Sequence, residues 1–151
     1  MISTIGYEGA SLEDFLQTLS RAQVDMIIDV RDRAQSRRKG FSKTALSEAL
    51  ATHDIDYLHL KALGDPKPGR EAARSGNWEL FRSIYAKVIK STEAQEALDQ
   101  IVTLANGKKV CLLCYERDPS TCHRKIITHT LKDRIDSKPE HLGVRTFEQA
   151  A

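Results

Sequence analysis

Residues 112–124, LLCYERDPSTCHR, bring Cys114, Glu116, Asp118, Cys122, His123 and Arg124 into one short stretch between an apolar run and a helix-like one. Metal binding is the first chemistry to weigh. Cys111 and Cys114 have C-x-x-C spacing, and Cys122 with His123 would complete a set of a type zinc accepts. However, Cys111 sits in a run that reads as strand, where residues three apart point to opposite faces. No glycine makes the turn a zinc knuckle needs, and no second C-x-x-C follows, so no metal site and no cofactor are expected. Thiol chemistry is the second. With Ser120 or Thr121 opening a helix, Cys122 falls in its first turn, where free N–H groups, the helix dipole, His123 and Arg124 favour a thiolate. Cys114 at the strand end is then a resolving partner. Glu116 and Asp118 oppose that thiolate, and Cys122 also fits plain packing on Ile126 one turn on. Anion binding is the third, because a helix starting near Ser120 points backbone N–H groups at a phosphate or carboxylate.

Basic residues elsewhere support the third chemistry. The chain carries a net charge of only +2, yet residues 31–43, RDRAQSRRKGFSK, hold six Lys or Arg against one acid. A focused basic loop on a near-neutral protein suits an anionic ligand at one place better than a basic face along a duplex. Arg31 and Arg37 offer planar forks for phosphate oxygens, and Ser36, Ser42 and Lys43 repeat a helix-start geometry. Arg31 is equally suited to an ion pair with Asp29 or Glu116. No Walker loop and no G-x-G-x-x-G is present, so ordinary ATP and dinucleotide modes are unsupported. Glu8, Asp29 and Glu116 are carboxylates beside arginines, a setting for ion pairs or for acid–base work with shifted pKa values. Tyr7 and Phe41 are candidates to stack a base.

Alternation of strand and helix patterns must position these groups. ISTIGY, MIIDV, IDYLHL and VCLLC read as strands, and HLGVRTF as an edge strand. Ser11 reads as the cap of a helix presenting Leu12, Phe15, Leu16 and Leu19, and Ser42 as the cap of one presenting Ala45, Leu46, Ala49 and Leu50. Residues 64–77 carry two prolines and three glycines and read as a loop. Asn77 caps a helix burying Trp78, Phe81, Ile84, Tyr85 and Val88. A further helix runs from Thr92, with Gln95 completing a capping box, to Asn106-Gly107. The last runs from Ser120 or Thr121 through Ile126, Ile127 and Leu131 to Ile135. The expected fold is a single α/β domain over residues 1–151, with a mostly parallel central sheet and helices on both faces, a Rossmann-like three-layer arrangement. Such sheets bind ligands beyond the carboxyl ends of their strands. Tyr7 and Glu8, Asp29 and Arg31, His59, and Cys114 through Glu116 all fall at that edge.

The motifs T-I-G-Y-E-G at 4–9, I-D-V-R at 28–31, S-R at 36–37, G-F-S-K at 40–43 and C-Y-E-R-D-P-S-T-C-H-R at 114–124 together resemble the DUF488 family, a domain of unknown function. The likeness runs from residue 4 to about residue 135. It implies one α/β domain with a common site built from those motifs, and it implies no particular activity. Ala34 and Lys39 depart from it where the family often has proline, and Asp65 departs where it often has a second glycine. There is also a superficial likeness to rhodaneses in the D-V-R strand end and the strand-borne cysteine loop.

The resulting expectation is an anion- or phosphate-binding pocket at the carboxyl edge, acting on a nucleotide-like or nucleic-acid substrate, with hydrolase or glycosyl-transfer chemistry. Glu8, Glu116, Cys122 and His123 are the catalytic candidates. Tyr7, Asp29, Arg31, Ser36, Arg37, Phe41, Ser42, Lys43 and Arg124 are the substrate-binding ones. A rhodanese-like or redox enzyme using Cys122 and Cys114, and a noncatalytic nucleic-acid-binding module, are the alternatives. The three cysteines, with no export signal or membrane-length apolar run, suggest reduced thiols, a cytoplasmic location and no membrane partner.

Overall fold

The computed structural model describes residues 1–135 and 138–147. Its strands are β1 (Ile2–Gly6), β2 (Met26–Asp29), β3 (Asp56–His59), β4 (Val110–Cys114) and β5 (Glu140–Leu142). Its helices are α1 (Leu12–Arg21), α2 (Lys43–Ala51), α3 (Lys67–Arg74), α4 (Trp78–Lys90), α5 (Thr92–Ala105) and α6 (His123–Leu131). The strands form one five-stranded sheet in the order β3-β2-β4-β1-β5, and every pairing is parallel. The chain is therefore the α/β three-layer protein its alternation predicts.

Strand alternation divides the core in two. Ile28, Val110 and Leu112 point to one face, against Phe81 and Tyr85 of α4, Leu98 and Ile101 of α5, and Ile127 and Leu131 of α6. Ile5, Ile27, Cys111 and Leu113 point to the other, against Phe15 and Leu19 of α1 and Leu46 and Leu50 of α2. A sheet covered on both faces needs near-continuous apolar strands, and β1, β2 and β4 are buried at every position. β3 lies at an edge and is only partly covered, in line with its alternating sequence. Among the described residues no helix is long and apolar enough to cross a membrane.

Local chemistry sets the helix starts. Ser11 accepts from the Asp14 N–H at 3.1 Å, and Asn77 accepts from the Leu80 N–H at 3.2 Å, as expected of N-caps. Three expectations need correction. Residues 64–77 are not all loop, because α3 lies inside them. Its prolines are Pro66 at the cap and Pro68 in the first turn, where a missing N–H costs nothing. α5 is capped by Ser91, whose Oγ accepts from Ala94 N–H at 3.2 Å. Gln95 instead donates to the Ile89 carbonyl, so no capping box forms. Finally, Pro119–Thr121 form a separate 3-10 turn, and α6 starts at His123 with Cys122 as its cap, ending at Leu131 rather than Ile135.

Leu112 lies fully buried in the middle strand. Leu112→Ala should lower unfolding free energy by about 2–5 kcal/mol, read from the urea midpoint at unchanged m-value, while Glu93→Ala on the exposed start of α5 should change it little.

Candidate functional site

Because β4 lies between β1 and β2, the chain segments leaving these three strands emerge side by side. They open into a cleft of about 1000 Å³ lined by Tyr7 and Glu8 after β1, Arg31 to Arg38 after β2, and Cys114 to Glu116 after β4. Asp65 just before α3, Arg70 and Arg74 on α3 and Trp78 at the start of α4 close it, with Thr121, Cys122 and His123 from the 3-10 turn and the start of α6.

Arg31 anchors one wall. It is 6% exposed and pairs with the fully buried Asp29, Nη2 to Oδ2 at 2.7 Å and Nε to Oδ1 at 2.9 Å. Its Nη1 donates to the Phe41 carbonyl at 2.7 Å and to the Tyr7 hydroxyl at 3.2 Å. Burial alone would lower the Arg31 pKa, but the hydrogen bonds and charge of Asp29 raise it instead. Tyr57 donates its hydroxyl to the same carboxylate. His59 Nε2 contacts the Arg31 carbonyl at 2.7 Å. Four of the five N–H groups of a guanidinium are thus used internally, so Arg31 is first a structural clasp, with one Nη2 hydrogen left over.

The turn after β4 is held as firmly. Gly6 is required there, since a Cβ would meet the Glu116 carbonyl oxygen at 1.7 Å. Arg124 is fully buried beneath the turn, and its Nη2 donates to the Glu116 carbonyl at 2.5 Å. Burial lowers its pKa to about 10, so it stays charged at neutral pH. Glu8 Oε1 accepts from the Arg117 N–H at 3.0 Å. Asp118 caps the following turn, accepting from Ser120 N–H at 2.9 Å and Ser120 Oγ at 2.7 Å.

Cys114, Cys122 and His123 converge behind this turn, with their ligand-type atoms all within 4.8 Å of one another; the structure joins Cys114 and Cys122 as a disulfide, where the sequence reading expects reduced thiols. His123 Nε2 lies 2.7 Å from the Val30 carbonyl. A carbonyl only accepts, so Nε2 carries the proton and Nδ1 presents its lone pair. That Nδ1 is 3.5 Å from Cys122 Sγ. Burial pushes the His123 pKa down to about 4, which keeps the ring neutral at pH 7. Cys122 Sγ also accepts from the Arg124 N–H at 3.5 Å. Cys111 lies on the opposite face of β4, fully buried, with its thiol pushed up to about 12 by burial.

Two carboxyls in the cleft are displaced from ordinary behaviour. Asp65 is 6% exposed, its Oδ1 has no hydrogen-bond partner among the described residues, and burial raises its pKa to about 7. Arg70 pulls the other way, while the charges of Glu116 and Asp32 add to the rise. Burial also raises Glu116, against the pull of Arg124 and with a push from Glu8.

The predicted residues divide accordingly. Tyr7, Glu8, Arg31, Ser36, Arg37, Glu116, Cys122 and His123 line the cleft. Asp29 lies behind it and orients Arg31. Phe41, Ser42, Lys43 and Arg124 do not line it. Phe41 is buried and stacked on Tyr7 at 4.6 Å between ring centroids, so it is core rather than a base platform. Ser42 Oγ accepts from Ser36 N–H at 3.1 Å and donates to Ser36 O at 3.2 Å, which pins the basic loop and leaves the α2 start uncapped. Lys43 is exposed away from the cleft. Arg124 donates to the Glu116 and Arg117 carbonyls and to the Thr4 hydroxyl, with its buried Nε lacking a partner among the described residues. Sequence reasoning placed Tyr115 at this edge without a role, and missed Asp65, Arg74 and Trp78 as lining residues. For Asp65 a signal existed, because it stands where the family resemblance led one to expect glycine.

These features define an α/β protein with a parallel sheet and an arginine-rimmed, acid-containing cleft at its carboxyl edge. The chain belongs to the family described as domain of unknown function DUF488, whose model matches residues 11–131. Neither curated proteins nor solved structures include a match to it.

The Asp65 shift sets a pH dependence of stability. The native carboxyl holds a proton that the unfolded chain, near 3.8, has already released, so stability falls as pH rises from 3.8 to about 7 and stays reduced above. Asp65→Asn should flatten that fall and leave the variant about 1–3 kcal/mol more stable than wild type at pH 8. Urea unfolding across pH 4–9 reads both effects.

Proposed function

We propose that the cleft binds a phosphate-bearing, nucleotide-like substrate and acts on it by acid–base chemistry of hydrolase or glycosyl-transfer type, in the cytoplasm. The observation that carries this reading is the contrast among the lining arginines. Arg31, Arg38 and Arg70 are tied to internal acceptors, whereas Arg33, Arg37 and Arg74 have no ion-pair or hydrogen-bond partner among the described residues and lie exposed on the cleft. Guanidinium forks free to turn inward suit phosphate oxygens. Tyr115, 45% exposed and set edge-on to Tyr7 at 5.4 Å between centroids, offers a face for a base.

In this reading the reacting bond lies over Asp65 and Glu116. Asp65, half protonated near pH 7, gives its proton to the departing oxygen or nitrogen. Glu116 takes a proton from the attacking water, whose oxygen forms the new bond as the old one breaks. The leaving group departs protonated, and solvent returns both carboxyls to their starting states. Glu8, occupied with the Arg117 N–H, braces the turn that carries Glu116. Arg37→Ala and Arg74→Ala should each weaken binding of nucleoside monophosphates roughly 10-fold in calorimetry, with Lys43→Ala unchanged. Unaltered affinity in both arginine variants would overturn the phosphate assignment. A shallow salt dependence is expected, and a steep one through counterion release would move the reading to a nucleic-acid-binding surface. On an identified substrate, Glu116→Gln should cut turnover by roughly 10²–10⁴-fold.

A second reading is favoured by the 3.5 Å approach of His123 Nδ1 to Cys122 Sγ. A neutral imidazole with its lone pair on the thiol is a general base for a cysteine nucleophile, which is a thiol enzyme using Cys122 and Cys114. It requires that Cys122 in the reduced protein alkylate quickly well below the ordinary cysteine pKa of about 8.5. Peptide mapping after iodoacetamide would read this, and a Cys122 no faster than a free thiol would remove the reading.

A further inference from the structure

Cys114, Cys122 and His123 form a constellation that the acid–base reading leaves unused. They come from two chain segments, the end of β4 and the start of α6, where Cys122 is the cap and His123 the first residue. All three side chains are buried, yet all three reach the wall of the cleft. The structure joins Cys114 and Cys122 as a disulfide, although their Cα atoms stand 7.6 Å apart, wider than the roughly 4.4–6.8 Å usual for such a bond. Once reduced, the same two side chains offer two thiols to one place, within 4.8 Å of the His123 ring nitrogen. His123 completes the third side, with its Nδ1 lone pair aimed at Cys122 Sγ and its Nε2–H fixed on the Val30 carbonyl.

We propose that Cys114, Cys122 and His123 bind a divalent transition-metal ion of the zinc type, leaving a fourth position open to the cleft. The donor set is two sulfurs and one nitrogen, which such ions prefer over calcium or magnesium. For bonds of about 2.3 Å to sulfur and 2.05 Å to nitrogen, tetrahedral geometry puts the sulfur and nitrogen roughly 3.6 Å apart. The Cys122–His123 separation of 3.5 Å matches that edge, while the two sulfurs, joined as a disulfide in this structure, must be reduced and part to roughly 3.8 Å to take the ion. The Val30 carbonyl is the outer partner that a metal-bound histidine ordinarily has, holding the tautomer and the ring plane. Three protein ligands with an open fourth position are the arrangement of catalytic rather than structural sites. Glu116 and Thr121 line the same cleft. Cys111, the other half of the C-x-x-C, takes no part because it faces the opposite layer.

The test uses the full chain, reduced and metal-free, titrated with Co²⁺ and Zn²⁺ in an inert atmosphere. One equivalent of Co²⁺ should give thiolate-to-cobalt charge transfer with intense tetrahedral visible bands, and X-ray absorption of the zinc form should show two sulfurs with nitrogen or oxygen. Cys122→Ser and His123→Gln should each lower affinity by more than roughly 100-fold, beyond the loss of an outer partner, while Cys111→Ala should keep it. Zinc should also slow alkylation of Cys122, a readout on the wild-type chain that does not depend on a variant folding. Absence of stoichiometric uptake by the reduced wild-type protein, or full affinity retained in well-folded Cys122→Ser and His123→Gln, would overturn the proposal. Phosphate binding by the metal-free protein is measured separately, so its failure counts against the phosphate reading alone.

Discussion

The buried pair of Asp29 and Arg31 is the interaction on which the carboxyl edge depends. Asp29 is the last residue of strand β2 and Arg31 stands two residues on, so the pair closes a tight turn at the carboxyl edge of the sheet. Through Arg31 the turn reaches the Tyr7 hydroxyl at the end of β1 and the Phe41 carbonyl at the far end of the basic loop. Through Asp29 it reaches Tyr57 on β3. Burying two charges is costly, and the attraction repays it only where the remaining donors and acceptors are satisfied. Here they nearly all are. Removing one partner would strand the other in a dry interior, at about 3–5 kcal/mol, and would free three chain segments at once.

That constraint creates the difference among the arginines. The groups closest to the sheet are consumed in holding the edge together: Arg31 on Asp29, Arg124 on the Glu116 carbonyl, Arg70 on Asp32 and the Asp65 carbonyl. The groups farther out, Arg33, Arg37 and Arg74, keep their charge facing the cleft. The acids divide in the same way. Asp29 and Asp118 are spent on internal hydrogen bonds, while Asp65 and Glu116 remain on the cleft, where burial works against their ionisation. A positively rimmed opening above reluctant carboxyls follows from which charges the scaffold used up.

Much of the fold was legible because its signals are local. VCLLC is continuously apolar and could only be a covered strand, and Ser11 and Asn77 announce their helices by side-chain oxygens that the first turn needs. The location of the site was legible too, since polar residues closing apolar strands accumulate at one edge of a parallel sheet. What could not be read is which of those residues face outward. Phe41 and Arg124 have the residue types of ligand contacts, yet one stacks on Tyr7 and the other lies beneath a turn. Those fates depend on packing between segments far apart in the chain. α3 was hidden for a different reason. Its prolines and glycine are breakers inside a helix but harmless in a first turn, and Gly69 is wanted because a Cβ there would strike Asp65 Oδ1 at 1.9 Å.

The stretch from Cys114 to Arg124 holds a conflict that its three-dimensional arrangement resolves. In sequence, Glu116 and Asp118 stand beside two thiols and should oppose any negative charge on them. In the fold, Asp118 is turned outward, and its charge is balanced by Ser120 N–H and Oγ, which lower its pKa. The Arg124 backbone N–H and the His123 ring face Cys122 instead. The intervening 3-10 turn moves Cys122 from the first turn of α6 to its cap. A cap residue directs its side chain at the free N–H groups of the helix, a setting that favours a sulfur anion. The same short turn that looked like a polar loop thus delivers sulfur, imidazole and carboxylate to the wall of one cleft.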